Sequence, residues 1–82
     1  MPRLRLFAVA REAAGTARDD IPGTTVAEVL DEACRRYGDA FRAVVTSPSC
    51  RVWVNGEEAR PTTSVAVDDE VAVLPPVSGG HG

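Results

Sequence analysis

Between Thr25 and Tyr37 the hydrophobic period of this chain changes, and that change constrains the fold more than any other feature. Val26, Val29, Leu30, Ala33 and Tyr37 recur at spacings of three and four, which places them on one stripe of an α-helix and turns Glu28, Asp31, Glu32, Arg35 and Arg36 toward water. Thr25-Val26-Ala27-Glu28 has the spacing of a capping box, in which the Thr hydroxyl and the Glu carboxylate each accept a bond from an orphaned backbone N–H. Gly38 stands where a left-handed cap would end the helix. On either side of this segment the period is two. Arg3-Leu4-Arg5-Leu6 alternates and runs on through Phe7 to Ala10 as one apolar stretch of strand length, with Leu4, Leu6, Ala8 and Ala10 on one face and Arg5, Phe7 and Val9 on the other. Cys50 to Val54 alternates again, Val52 and Val54 pointing one way and Trp53 the other. Glu70 to Leu74 sets Val71 and Val73 inward and Ala72 and Leu74 outward.

The turns fix the order in which these elements meet. Arg11 to Thr16 reads as a bend with room for a turn of helix ended by Gly15, after which Ala17 to Ile21 returns as a second strand closed by Pro22-Gly23. Phe41, Val44 and Val45 lie in a compact connection, and Ser47-Pro48-Ser49 breaks the chain. Asn55-Gly56 is a hairpin signal, because both residues tolerate the positive φ of a type I′ turn. Glu57 to Arg60 then forms a short return strand that Pro61 confines to an edge. The order strand, strand, helix, strand, short strand, strand predicts an α+β fold, a mixed sheet with one main helix over residues 25–37 packed across it. That is the ubiquitin-like β-grasp order.

Length and charge narrow the functional classes. A chain of 82 residues with 44% hydrophobic and 26% charged residues forms one small domain whose core is too thin for a deep, water-excluding active site. Nine Arg, no Lys and twelve acidic residues leave a charge of −3 with the cations dispersed, which argues against nucleic acid and favours a basic partner surface. No apolar run approaches the roughly 20 residues of a membrane span, and the start is unlike a secretory signal, so no membrane role and a cytoplasmic location are expected. Cys34 and Cys50 are too far apart, and too far from the single His, for a metal site; they read as packed thiols. No nucleophile-and-base pair is available, and the chain is expected not to be an enzyme.

The residues also carry a family resemblance. Leu6-Phe7-Ala8 with Arg11-Glu12 and Gly15-Thr16, Val54-Asn55, and Asp69-Glu70-Val71-Ala72 followed by Leu74-Pro75-Pro76-Val77-Ser78-Gly79-Gly80 resemble the ubiquitin-like sulfur carriers of the MoaD/ThiS type, most of all the molybdopterin synthase small subunit. The likeness covers nearly the whole chain and implies a β-grasp domain over residues 1–77 and a flexible tail over 78–82. It further implies that an adenylyltransferase like the ubiquitin-activating enzymes uses ATP to adenylate the Gly80 carboxylate. Sulfur then displaces AMP to give a thiocarboxylate, and a sulfur-accepting synthase, such as the molybdopterin synthase large subunit, consumes it. The resemblance also implies that the carrier itself binds no cofactor.

Carriers for cysteine, thiamine or thio-sugar synthesis share fold and tail, and a protein modifier acting through Gly80 and a plain interaction module are the other classes open to such a chain. Gly79 and Gly80 lack Cβ and suit a narrow channel, while Pro75 and Pro76 stiffen the base of the arm that Val77 and Ser78 continue. His81-Gly82 departs from the family pattern by following the diglycine. A peptidase cutting between Gly80 and His81 is therefore expected to expose Gly80. Phe7, Val9, Trp53 and Leu74 make either a docking patch or a second minor core covered by a loop or the Phe41 region, and Arg11 matches a family position near the partner surface.

Overall fold

The computed structural model describes residues 1–76, and the expected boundary at Val77 with the tail 78–82 lies outside the described residues. The elements are β1 (Arg3–Leu6), α1 (Ala8–Ala14), β2 (Arg18–Asp20), α2 (Val26–Tyr37), α3 (Asp39–Val45), β3 (Arg51–Val54), β4 (Glu57–Glu58) and β5 (Glu70–Leu74). They form a five-stranded sheet in the order β2-β1-β5-β3-β4. β1 and β5 run parallel, and the other neighbours are antiparallel. This is the mixed β-grasp sheet that the element order predicts, with β4 at an edge.

The alternation places the core correctly. Leu4, Leu6, Val71 and Val73 from the two central strands are at most 2% exposed and meet Val26, Val29, Ala33 and Cys34 of α2. Val52 and Val54 pack half-buried against the same cluster. Asn55 and Gly56 have φ of 50° and 85°, the backbone that a tight β3–β4 turn of this hand requires.

Four local readings are corrected. The first strand stops at Leu6 instead of running to Ala10. Phe7 is extended, Ala8 has φ 52°, and the Phe7 carbonyl accepts from the N–H groups of Ala10 and Arg11 at 3.1 and 3.4 Å, so residues 8–14 wind into α1. An alanine-rich run favours helix, and Ala10 reaches the core from a helical turn as well as it would from a strand.

The compact connection through Phe41, Val44 and Val45 is a third helix, α3. Gly38, at φ 96° and ψ −167°, is not in the left-handed helical region; it is a corner at once the C-cap of α2 and the N-cap of α3. Its N–H donates to the Cys34 carbonyl at 2.8 Å while its own carbonyl accepts from Arg42 at 3.1 Å. Two helices meeting at one residue swing Phe41 fully into the core, edge-on to Tyr37 with ring centroids 5.1 Å apart.

The capping box is displaced by one residue. Thr25 Oγ1 accepts from the Glu28 N–H at 3.2 Å as expected, but Glu28 Oε1 accepts from the N–H and hydroxyl of Thr24, each at 2.8 Å, and not from Thr25.

Candidate docking face and C-terminal exit

The sheet order puts β5, the strand that leads to the C-terminus, in the centre of the sheet with β1 and β3 on its flanks. Leu74 stands opposite Arg51 and Val73 opposite Leu6, so the chain leaves at the end of the sheet where β1 finishes and β3 begins. Pro75 is buried at that edge and Pro76 is exposed. Two consecutive prolines there remove the N–H donors that a neighbouring strand would need, and pairing ends.

The same register assembles the outer face of the sheet. Trp53 is opposite Ala72 on one side and Glu58 on the other, and Arg5 is opposite Ala72 from β1. Ala72 therefore leaves a shallow saddle between the indole and a guanidinium. Phe7 follows Arg5 on the same side, and the Arg5 guanidinium carbon lies 5.2 Å from the Phe7 ring centroid. Arg5 also faces Glu70 at 3.7 Å, and Arg51 pairs with Glu58 at 3.2 Å. Both pairs are solvated and orient side chains more than they stabilise the fold. Phe7 and Leu74 remain 37% and 38% exposed and Trp53 is half-buried.

Phe7, Trp53 and Leu74 thus share one face near the chain exit. Val9 does not sit on a strand; it is carried by α1, where it is 37% exposed. Arg11 is exposed on the same helix. Phe41 lies in the main core under α2 and α3, so it does not cover the outer face. Gly79, Gly80, Val77, Ser78 and His81 fall outside the described residues. Arg5 and Arg51, which frame the apolar residues, were not singled out from the sequence. The alternation put Arg5 beside Phe7, but only the strand register brings Arg51 next to Leu74.

Neither thiol is activated. Burial pushes the pKa of Cys34 and of Cys50 up, which keeps both protonated. Among the described residues no group of three or more His, Cys, Asp or Glu is arranged to hold a metal ion, and no helix is long and apolar enough to cross a membrane.

A profile of the ThiS family matches residues 4–80, nearly the entire chain. The chain belongs to the ThiS family. Solved structures agree. The crystal structure of SAMP1 from Haloferax volcanii is 34% identical, with a TM-score of 0.79 over 95% of this chain and 97% of that one. The solution structure of small archaeal modifier protein 1 from Methanosarcina acetivorans is 32% identical, with a TM-score of 0.84 over 95% and 94% of the two chains. CysO in the Amycolatopsis orientalis BexX/CysO complex, 22% identical with a TM-score of 0.80 over 98% and 100%, shares the fold. No curated protein sequence matches significantly. This ThiS-family chain is therefore a member of the ubiquitin-like carrier and modifier fold group.

Proposed function

We propose that the chain is a sulfur carrier and not itself an enzyme, and that Gly80, once His81-Gly82 has been removed, is the group that carries sulfur. The observation that carries this reading is the reach of the family match: it extends past the last strand and closes on Gly80, the second residue of the diglycine. A central strand ending in Pro75-Pro76 suits the base of such an arm, and at roughly 3.3 Å per residue a stretch of five residues can reach at most about 16 Å. An adenylyltransferase resembling the ubiquitin-activating enzymes would use ATP on the Gly80 carboxylate, sulfur would displace AMP, and a synthase would take the sulfur from the thiocarboxylate. The carrier needs no bound cofactor, and this chemistry belongs in the cytoplasm. Phe7, Arg11, Trp53, Leu74, Pro75, Pro76, Val77 and Ser78 are the contact residues for both enzymes. Molybdopterin synthesis is the pathway the sequence resembles most; cysteine, thiamine and thio-sugar synthesis use the same logic.

Identity of 34% and 32% to two proteins named as small archaeal modifiers favours a second reading, in which Gly80 is joined to amines of other proteins. The chain has no Lys, so in that role it would be added singly and not extended through its own side chains.

Intact-mass spectrometry separates the readings. Full-length protein and protein ending at Gly80 are incubated side by side with a cognate activating enzyme, ATP and sulfide. The shortened form is expected to gain the mass difference of one sulfur for one oxygen while the full-length form stays unchanged. Failure of both forms would end the carrier reading; exchange in the unprocessed form would remove only the peptidase.

A further inference from the structure

A second surface opens on the helix side of the sheet, opposite Trp53. β4 stops at Glu58, and the chain then leaves the sheet through Ala59, Arg60 and Pro61 to cross the start of α2. There the Ala27 N–H donates to the Pro61 carbonyl at 2.9 Å and the Val26 N–H to Thr63 at 3.0 Å. α3 ends at Val45, short of this crossing. The gap left between them is a groove of about 210 Å³ floored by Val26, Leu30, Val45, Val52, Ala59 and Pro61.

Its rim carries charge. Arg51, Glu58 and Arg60 edge the opening, and Arg51 is answered by Glu58 at 3.2 Å. Arg60 forms no ion pair among the described residues. One guanidinium without a counter-charge therefore stands over an apolar floor, on a protein whose overall charge is −3. The groove is smaller than the roughly 300–1,000 Å³ that encloses a drug-sized ligand, and its scale is that of a single anchoring side chain at a protein interface.

We propose that this groove receives one leucine-sized apolar side chain of an acidic partner peptide, with a neighbouring carboxylate of that peptide paired to Arg60. The apolar floor supplies the affinity. The exposed Arg60 pair selects an acidic segment over a neutral or basic one. The floor of this groove involves neither the C-terminal diglycine nor Phe7, Trp53 or Leu74, and only the Arg51–Glu58 pair on its rim is shared with the outer face, so the proposal does not rest on the carrier reading.

The test uses the full chain, labelled with ¹⁵N, and the acetylated, amidated pentapeptide Gly-Leu-Asp-Asp-Gly. Saturable shifts are expected in the amides of Val26, Leu30, Val52 and Ala59, with a Kd on the order of 1 mM, as a single anchor would give. Because Cys50 lines the groove, its alkylation by iodoacetamide slows when the peptide is present. Arg60→Gln, at an exposed position, weakens binding about fivefold, the upper end for a solvated pair. Ala59→Leu fills the groove and removes the shifts while the melting transition stays cooperative. Absence of saturable groove shifts would overturn the proposal, as would equal binding of the Gly-Leu-Asn-Asn-Gly peptide. Hexanoate binding as tightly as the peptide would assign the groove to small carboxylates instead. Groove shifts that follow protein concentration without peptide would assign it to a second copy, and either result rejects the peptide.

Discussion

Asn55 and Asp69 are bound side chain to side chain, Asn55 Nδ2 donating to Asp69 Oδ1 at 2.9 Å across the ends of β3 and β5. Asn55 Oδ1 accepts from the Glu70 N–H at 2.9 Å, and the Asn55 N–H donates to the Glu70 carbonyl at the same distance. Asp69 Oδ2 in turn accepts from the Ala66 N–H at 2.8 Å, which with the Asn55 bond holds its carboxyl below the usual range. One residue thus closes a hairpin and aligns the first residue of the strand that carries the C-terminus. Asn55→Ala loses both the clamp and the tolerance for φ 50°, and a fall in melting temperature of about 4–8 °C is expected by circular dichroism, a typical size for one such defect in a small domain. Asn55→Gly restores the backbone freedom without the amide and should recover only part of the loss. Full recovery would show that the clamp contributes nothing.

Tyr37 and Asp19 give the stability a pH profile. The Tyr37 hydroxyl donates to the Asp19 carboxylate, tying the end of α2 to the edge strand β2, and Arg36 Nη1 lies 3.3 Å from the same carboxylate. The Tyr37 bond, above all, holds Asp19 below its ordinary pKa of 3.8. Burial and Asp19 push Tyr37 above its ordinary value of 10.0. Asp19 therefore contributes its full stabilisation above pH 3.8 and loses it as pH falls through its lower folded value. Tyr37 contributes fully below pH 10.0 and loses its share as pH rises further. Tyr37→Phe should flatten both flanks of a plot of urea midpoint against pH. A plot parallel to that of the wild type would reject the linkage.

Gly23 is held by contact. A Cβ placed there would come within 2.8 Å of both the Val29 backbone nitrogen and Val29 Cγ2, so the chain entering α2 would have to move. At Gly15, φ is 76° but nothing lies within 4 Å of such an atom. Gly23→Ala should cost about 1–3 kcal/mol as an overpacked site, and Gly15→Ala nearer 1 kcal/mol as a backbone effect. Urea unfolding of the two variants measures the difference, and the reverse order would show that the loop before α2 yields easily.

Trp53 belongs to docking more than to folding. It is half-buried on the outer face, where Ala72 and Glu58 are its cross-strand neighbours. Trp53→Ala should leave the melting temperature within a few degrees and weaken association with an activating enzyme, measured by calorimetric titration. A fully buried Trp would instead cost about 3–5 kcal/mol, enough to unfold most domains of this size. A stability loss on that scale with unchanged affinity would place Trp53 in the fold alone.

Local patterns determined the sheet, the main helix and the inward residues, because a period of two or of 3.6 leaves only one face of each element free to be apolar. Leu4, Leu6, Val26, Val29, Val71 and Val73 were legible for that reason, and so was the tight turn at Asn55-Gly56, whose chemistry is contained in two residues. Residues 7–10 were not, because an apolar run in which Ala10 faces inward satisfies strand and helix alike, and the choice falls to packing in the folded chain. The same holds for α3: seven residues are too few to show a period, and the helix exists because Gly38 turns the chain and buries Phe41 against Tyr37. The candidate site divides in the same way. Phe7, Trp53 and Leu74 could be assigned a side from parity alone. That Arg5 and Arg51 frame them, that β5 leaves from the centre of the sheet, and that a groove opens beside Arg60 depend on strand register and on where two elements stop. Those are relations between residues far apart in sequence, and only the tertiary structure decides them.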